Sequence, residues 1–502
     1  MRKLLPFTTL ACVCLLAADL KPQFTITPGI QAALNRISPD SMRGNLSFLA
    51  SDLLEGRDTP SRGLDIASEF IAAEFRKAKL EPGGDDGYFQ TAHLVQQQPD
   101  LDGFSLTLTD GEKHVALTFA DVQLHSAKAL DSASAPIFKL DLNDEALIEA
   151  ITPAQLDGKI VLTEFSRGAM RSGRKAMSKV RGSKPALVLT LERTASDDIG
   201  TASTQLLDPE DSESLQTPRV SIAGKAAVAF YDAMKPGLSS TATASIHQSA
   251  PRQKAQVLHN VVAILRGSDP VLKNTCVLVS AHYDHIGMKA AGEGDRIYNG
   301  ANDDGSGTVS VIELATALAK LNPHPKRSIV FVTFFGEEKG GFGSRYYSRH
   351  PAIPLKDTIA DINLEQVGRT DSTEGPQISN ASMTGFDYSD VVRIMERAGA
   401  LTGVKIYKHP QNSDLYFGAS DNISLAEKGV PAHSFSVAFN YSDYHGLGDE
   451  WPKIDYNNMA KVDRTVAVGL LMMADSTAVP HWAANNPKTG KFLKAWQESH
   501  SH

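Results

Sequence analysis

The residues in this chain most able to do chemistry fall in three groups between positions 282 and 338: His282-Tyr283-Asp284-His285, Asp303-Asp304-Gly305-Ser306-Gly307 and Glu337-Glu338. Each group stands at the border of a stretch patterned like a regular element. Val277–Ala281 is a short apolar run of β character that ends at His282. Thr308–Leu321 has helical spacing, and Asp303 lies on the glycine-rich turn before it. Ser328–Phe335 is a second β-rich run, and Glu337 and Glu338 follow it. Acids and imidazoles at the carboxyl ends of successive strands in an α/β sheet occupy the crevice where such folds bind ligands. Imidazole nitrogen, bridging carboxylate and terminal carboxylate are the donor types of a zinc site. Two adjacent acids let one hold metal while the other moves protons. The expectation is a hydrolytic centre built on two zinc ions.

Taken singly, the pieces are ordinary. A lone His-x-Asp arises by accident. Asp303-Asp304-Gly305 alone is a solvated turn and helix cap, and Glu337-Glu338 before Lys339-Gly340-Gly341 alone is a surface turn. Their order along one chain is what carries the reading. Two further stretches, Asp361–Arg369 and Ser442-Asp443-Tyr444-His445-Gly446, extend it. With them the set resembles the zinc aminopeptidases of peptidase family M28. His282 and Asp284 match that family's H-x-D motif, Asn302–Gly307 its N-D-D-G-S-G, Glu337-Glu338 its paired glutamates and Ser442–His445 its S-D-Y-H. The fourth ligand position, usually Asp, is Glu365 here. Leu46–Gln90, with S-D-x-L-E-G-R and G-Y-F-Q, is also family-like.

The resemblance implies a metal set of His282, Asp303, Glu338, Glu365 and His445. Asp303 would bridge two zinc ions, one taking His282 and Glu365, the other Glu338 and His445. A bound water would then have its pKa lowered toward about 7, with Glu337 as general base. Asp284 would accept the second N–H of the His282 imidazole and fix its tautomer. Tyr444 is a candidate oxyanion donor, the alternative being a packing tyrosine. His259, His324, His409 and His433 match no ligand position and read as surface or core histidines. The implied reaction is hydrolysis of an N-terminal peptide bond of a peptide or protein. A related carboxypeptidase or dipeptidase is the alternative within the family. A glutaminyl cyclase needs one zinc and no bridging set, so Asp303 with two histidines favours hydrolysis. A catalytically inactive binding protein on the same scaffold is the alternative of another class; against it, all six positions carry competent side chains.

The elements that must position these residues alternate. Strand-like runs at Val261–Leu265, Val277–Ala281, Ile329–Phe335, Thr358–Leu364 and Ala432–Val437 are interleaved with helix-like Thr308–Leu321, Tyr388–Ala398 and Met459–Met473. That alternation predicts an α/β fold, a mixed sheet covered by helices on both faces. The resemblance makes it the zinc exopeptidase, phosphorylase/hydrolase-like fold. Gln31–Leu53 and Gly63–Leu80 show helical spacing before it. Between them and the catalytic pattern lies a segment without metal candidates. Its L-D-G-K-I-V-L at Leu156–Leu162 resembles the protease-associated domain inserted in some M28 enzymes; an unrelated β-rich insertion is the alternative. The expected division is a signal peptide at 1–18, a discontinuous catalytic domain at 25–125 and 251–480, the insertion at 126–250 with an exposed loop at Asp197–Thr217, and a polar tail at 481–502.

With 502 residues, two or three domains are expected. The net charge of -8 and the lack of a basic run exclude the signature of nucleic-acid binding or of an anionic membrane surface. Met1–Ala18 has the form of a secretory signal: Arg2 and Lys3, then the apolar Leu10–Leu16, then Ala17-Ala18. An N-terminal apolar anchor is the alternative. Export to a periplasmic or extracellular space follows, with no transmembrane span once the signal is removed. Cys12 and Cys14 fall inside the signal, leaving Cys276 alone, so the fold must stand on its core and metals without an intrachain disulfide.

Overall fold

The structure is a computed structural model that describes residues 24–501, apart from 101, 125–127, 165–175, 178, 181, 194–204 and 211–216. The expected signal peptide at 1–18 lies outside the described residues.

Strands Cys276–His282, Ser328–Phe334 and Thr358–Leu364 are buried at every position. Unbroken burial is the mark of parallel strands covered on both faces. They pair in parallel, in the order 358–364, 276–282, 328–334, and Ala432–Ser436 joins in parallel beyond 358–364. The long strand Arg252–Leu265 pairs antiparallel with both Ser328–Phe334 and Phe89–Gln98, so the sheet is mixed. Asn380–Met383 and Lys405–Tyr407 complete the far edge. Side chains alternate across the pleat, and the two faces build two cores. Val277, Val279, Ile329 and Phe331 join Phe75, Val309, Ile312 and Val466 on one side. Leu278, Val330, Val332 and Phe334 join Tyr347, Leu425, Trp482 and Phe492 on the other.

The predicted helix at 31–53 is two helices, Pro28–Leu34 and Pro39–Leu49. The break falls at Ser38-Pro39. Ser38 caps the second helix through the backbone N–H of Ser41, and Pro39, lacking an N–H, suits its first turn.

A second, eight-stranded sheet runs in the order 113–117, 105–110, 237–248, 130–140, 160–164, 187–191, 219–222, 122–124, with its own apolar clusters. It begins at Ser105, so the expected boundary at 126 is too late. Leu106 and Leu108 alternate like any strand, but their antiparallel partners Ile246 and Ala244 lie at the far end of the insertion. The expected loop at 197–217 is also corrected where it is described. Gln205–Leu207 is a strand that pairs with Val95–Gln97 at the edge of the main sheet. The tail at 481–502 is more than polar chain: Trp482 and Phe492 are buried, Trp482 Nε1 donates to the Gly429 carbonyl at 2.8 Å, and Gly490–Ser499 is helical. Among the described residues no helix is long and apolar enough to cross a membrane.

Candidate metal centre

Parallel strands end on one edge, and the chemistry collects there. His282 is the last residue of its strand, Glu337 and Glu338 follow Phe334 closely, and Glu365 is the first residue after Leu364. Asp303 comes from the turn Ala301–Ser306 that leads into helix Gly307–Leu318, and His445 from the loop after strand Ala432–Ser436. The structure brings all five expected ligands together. His282 Nε2 is 3.4 Å from Asp303 Oδ1 and 3.6 Å from Glu365 Oε1. His445 Nε2 is 3.1 Å from Asp303 Oδ2 and 3.3 Å from Glu338 Oε1. The two oxygens of Asp303 thus face two different groups.

A sixth residue stands in the cluster that the motif reading left without a role. His285 Nδ1 lies 2.9 Å from Glu338 Oε1. His282, Asp303 and Glu365 form one trio with ligand atoms within 4.8 Å of one another, and His285, Asp303 and Glu338 form another. The signal for His285 was its place three residues after His282 in the same strand-end turn.

The donors fit divalent cations. Asp303 Oδ2 and His285 Nε2 are buried without a hydrogen-bond partner; His445 stands beside the former, but outside good hydrogen-bond geometry. Asp303, Glu337, Glu338 and Glu365 are crowded at one spot, where like charges oppose joint ionisation. The strain shows in their proton affinities. Burial would raise the Asp303 carboxyl, but His282 and His445 outweigh it and hold it low. Glu337 is pushed well up by burial, helped by the carboxylates of Asp421, Glu365 and Glu338 and opposed by His282. The adjacent carboxylates of Asp303 and Glu338 push His445 up to about 10.

Buried side chains hold the cluster in place. Asp284 Oδ1 is 3.5 Å from His282 Nδ1, and the same oxygen accepts from the Glu337 N–H at 3.1 Å. One carboxylate therefore faces both the first imidazole and the backbone of the paired glutamates. Asp304 accepts from the N–H groups of Gly307 and Gln366, each at 3.1 Å, tying the Asp303 turn to the Glu365 strand end. Asp449 accepts from the N–H groups of Asn302 and Asp303. Arg57, 1% exposed, donates to the carbonyls of Tyr283, Leu49, Asn299 and Gly300. It clamps the loop after His282 to the loop before Asp303, which gives the S-D-x-L-E-G-R segment a structural purpose. Nothing in the spacing of Asp449 marks it in advance.

Glu365, the long residue at a position usually Asp, is tethered: its Oε2 accepts from Ser420 Oγ at 2.6 Å while Oε1 faces His282. Tyr444 stacks on the His445 ring at 4.1 Å between centroids and lines the cleft beside Glu337. The four set-aside histidines belong to neither trio. His433 is buried between Ser389 and the Thr384 carbonyl, and burial lowers it to about 4. His409 bonds the Glu374 carbonyl, His324 bonds the Arg266 carbonyl, and His259 packs on Phe89.

A mixed α/β sheet with imidazoles and carboxylates at the edge of its parallel strands defines a metallohydrolase architecture. Residues 260–469 match the family model of peptidase family M28. Among relatives, the probable leucine aminopeptidase 2 of Aspergillus oryzae is 27% identical over 91% of this chain and 90% of its own length. A vacuolar membrane protease of Pyrenophora tritici-repentis is 32% identical over 22% of this chain. The chain spans only 11% of that protease's length. Among solved structures, the aminopeptidase from Aneurinibacillus sp. strain AM-1 superposes with a TM-score of 0.56 at 21% identity, covering 89% of this chain and 97% of that one. A zinc aminopeptidase from Bacillus subtilis gives 0.50 at 19% identity, covering 91% and 98%. These two share the fold.

Proposed function

We propose that the protein is an exported two-zinc aminopeptidase that removes residues from the N-termini of peptides. The observation that carries this is Asp303, whose two oxygens face two separate imidazole–carboxylate groups. His282 and Glu365 would hold one zinc, Glu338 with His445 or His285 the other, and Asp303 would bridge. When bound, the ions supply Lewis-acid polarisation of the scissile carbonyl and a lowered pKa for water. Glu337 lines the cleft beside the cluster. Its carboxylate takes a proton from the attacking water and returns it to the leaving nitrogen. Burial and the neighbouring carboxylates raise its proton affinity, which helps it hold the proton it takes until the leaving nitrogen accepts it. Asp284 keeps the His282 ring oriented. The smaller recess beside the cluster, walled by Tyr416, Phe439, Ala419 and Asn440, would take the side chain of the first residue. Tyr444, which lines the cleft beside Glu337, would donate to the developing oxyanion. The insertion is read as a protease-associated module, and Met1–Ala18 as the export signal.

The test is a panel of aminoacyl chromogenic amides, with and without chelator, beside elemental analysis. Chelator-sensitive turnover with about two zinc ions per chain is expected. Absence of bound metal, with no response to added zinc, cobalt or manganese, would end the hydrolase reading.

A further inference from the structure

Two recesses meet at the paired glutamates; Glu337, Glu338, Ala419, Ser420 and Tyr444 wall both. The smaller, about 570 Å³, contains Asp303 and Glu365 and ends against Tyr416 and Phe439. The larger, about 1720 Å³, crosses Gly340-Gly341 and follows helix Phe342–Arg349 along Ser344, Arg345 and Ser348. Residues 344, 345, 348 and 349 are one face of a helix. At its far end the wall is Glu210, which belongs to the insertion.

Glu210 is fixed in that position. Strand Gln205–Leu207 pairs with the main sheet. Asp208, 1% exposed, bonds the Arg349 guanidinium and accepts from the Glu210 N–H at 2.9 Å. The Glu210 carboxylate lies 2.7 Å from His350 Nε2 and 3.8 Å from Arg349 Nε, and its side chain is 54% exposed.

We propose that the insertion builds the outer wall of the path taken by the leaving chain, with Glu210 a specificity-determining residue for long peptides. The proposal rests on the exopeptidase reading above. A substrate cut after its first residue has one short end and one long end. The small recess at the cluster fits the short end, and the long open groove fits the rest. Its lining is mostly polar, which suits an extended main chain. The groove follows a helix of eight residues, roughly 12 Å at about 1.5 Å per residue. An extended peptide covers that distance in about three or four residues at roughly 3.3 Å each. An aminoacyl anilide or a dipeptide ends short of Glu210, whereas a pentapeptide reaches it. A cationic side chain at that depth meets a half-exposed carboxylate, and an acidic one is repelled by it.

The experiment uses the full chain loaded with zinc and three substrates sharing one first residue: an aminoacyl anilide, a pentapeptide ending in two lysines and one ending in two glutamates. Wild type, Glu210→Gln and Glu210→Lys are compared, with thermal melts to confirm that each is folded. The wild type should favour the lysine peptide, Glu210→Gln should flatten the preference, and Glu210→Lys should reverse it. The shift in the kcat/KM ratio should be roughly three- to tenfold, the scale of one partly exposed charge pair lost and another gained. It should be carried by KM, with the anilide unchanged. A peptide ratio equal in all three proteins, or anilide turnover falling in step with the peptides, overturns the proposal. If the wild type cleaves none of the three, the peptidase reading falls instead. Equilibrium binding of the two pentapeptides then decides the wall: a reversed affinity ratio in Glu210→Lys supports it, and an unchanged ratio overturns it.

Discussion

At the scale of single residues, the neighbouring acids at this strand end face different partners, as the proposed division of labour between them requires. Glu338 meets His285 and His445, while Glu337 faces the cleft with no imidazole ion pair. Glu337→Gln keeps the shape and removes only the basic carboxylate. It should retain its metal, keep KM, and lose kcat by roughly 10²–10⁴-fold, the usual weight of general acid–base catalysis. Native turnover in that variant would assign the base elsewhere. Glu365 poses a separate question. Its extra methylene adds a rotatable bond, and Ser420 fixes that bond by taking one oxygen. Glu365→Ala should therefore deplete one of two metal sites and cut activity strongly. Glu365→Asp should keep part of both, since a carboxylate remains without the serine tether. Metal titration by calorimetry separates the two, and a fully loaded Glu365→Ala protein would show that another acid serves.

At the scale of elements, helix Tyr456–Ala474 carries a buried acid unconnected with the centre. Asp463 is fully buried, and burial pushes its carboxyl up to about 8, with Glu313 adding to the rise and Ser310 opposing it. In the unfolded chain the same group ionises near 3.9. Between these values the folded protein keeps a proton that the unfolded chain has released. Stability from this group is complete below about pH 4 and is lost as pH rises through about 8. Asp463→Asn removes the dependence. Its Tm should match the wild type near pH 4 and exceed it increasingly toward pH 9. A Tm difference that stays constant with pH would mean that the acid is ionised in the fold. The same scale explains the clamp of Arg57: it donates to the carbonyls of Leu49, Tyr283, Asn299 and Gly300, the last of which also accepts from the Gly305 N–H, and unpaired buried carbonyls are costly.

At the scale of the whole molecule, the insertion is joined to the catalytic sheet in two ways. One is the chain itself, which leaves after strand Phe89–Gln98 and returns in strand Arg252–Leu265. The other is the contact of Gln205–Leu207 and Asp208 with the sheet edge and Arg349. Asp208→Ala should loosen the second joint only. A hydrogen-bonded charge lost from a part-buried pair costs about 1.5–3 kcal/mol. The loss should appear as faster amide exchange in residues 95–97 and 205–207, with the apolar cluster of the second sheet unchanged. Uniform destabilisation of both sheets would show that the two fold as one cooperative unit.

Much of this was legible in the sequence by itself. Apolar runs of β character separated by helical periodicity determine an α/β sheet, because side-chain period and burial are local properties. The strand Thr358–Leu364 falls where its pattern puts it. The identity and order of His282, Asp303, Glu337, Glu338, Glu365 and His445 were also written in the chain, since donor chemistry belongs to residue types. Pairing was not. Strands 105–117 alternate like those of the catalytic sheet, and only contact with residues 242–247 assigns them to the other one. His285, Asp449 and Ser420 join the centre through loops folded back from different strands. Glu210 reaches the groove through a three-residue strand too short to carry a pattern. The physical reason is the same throughout. A sequence fixes which atoms a residue offers and how its own neighbours repeat, but a distance between remote residues exists only once the chain has closed on itself.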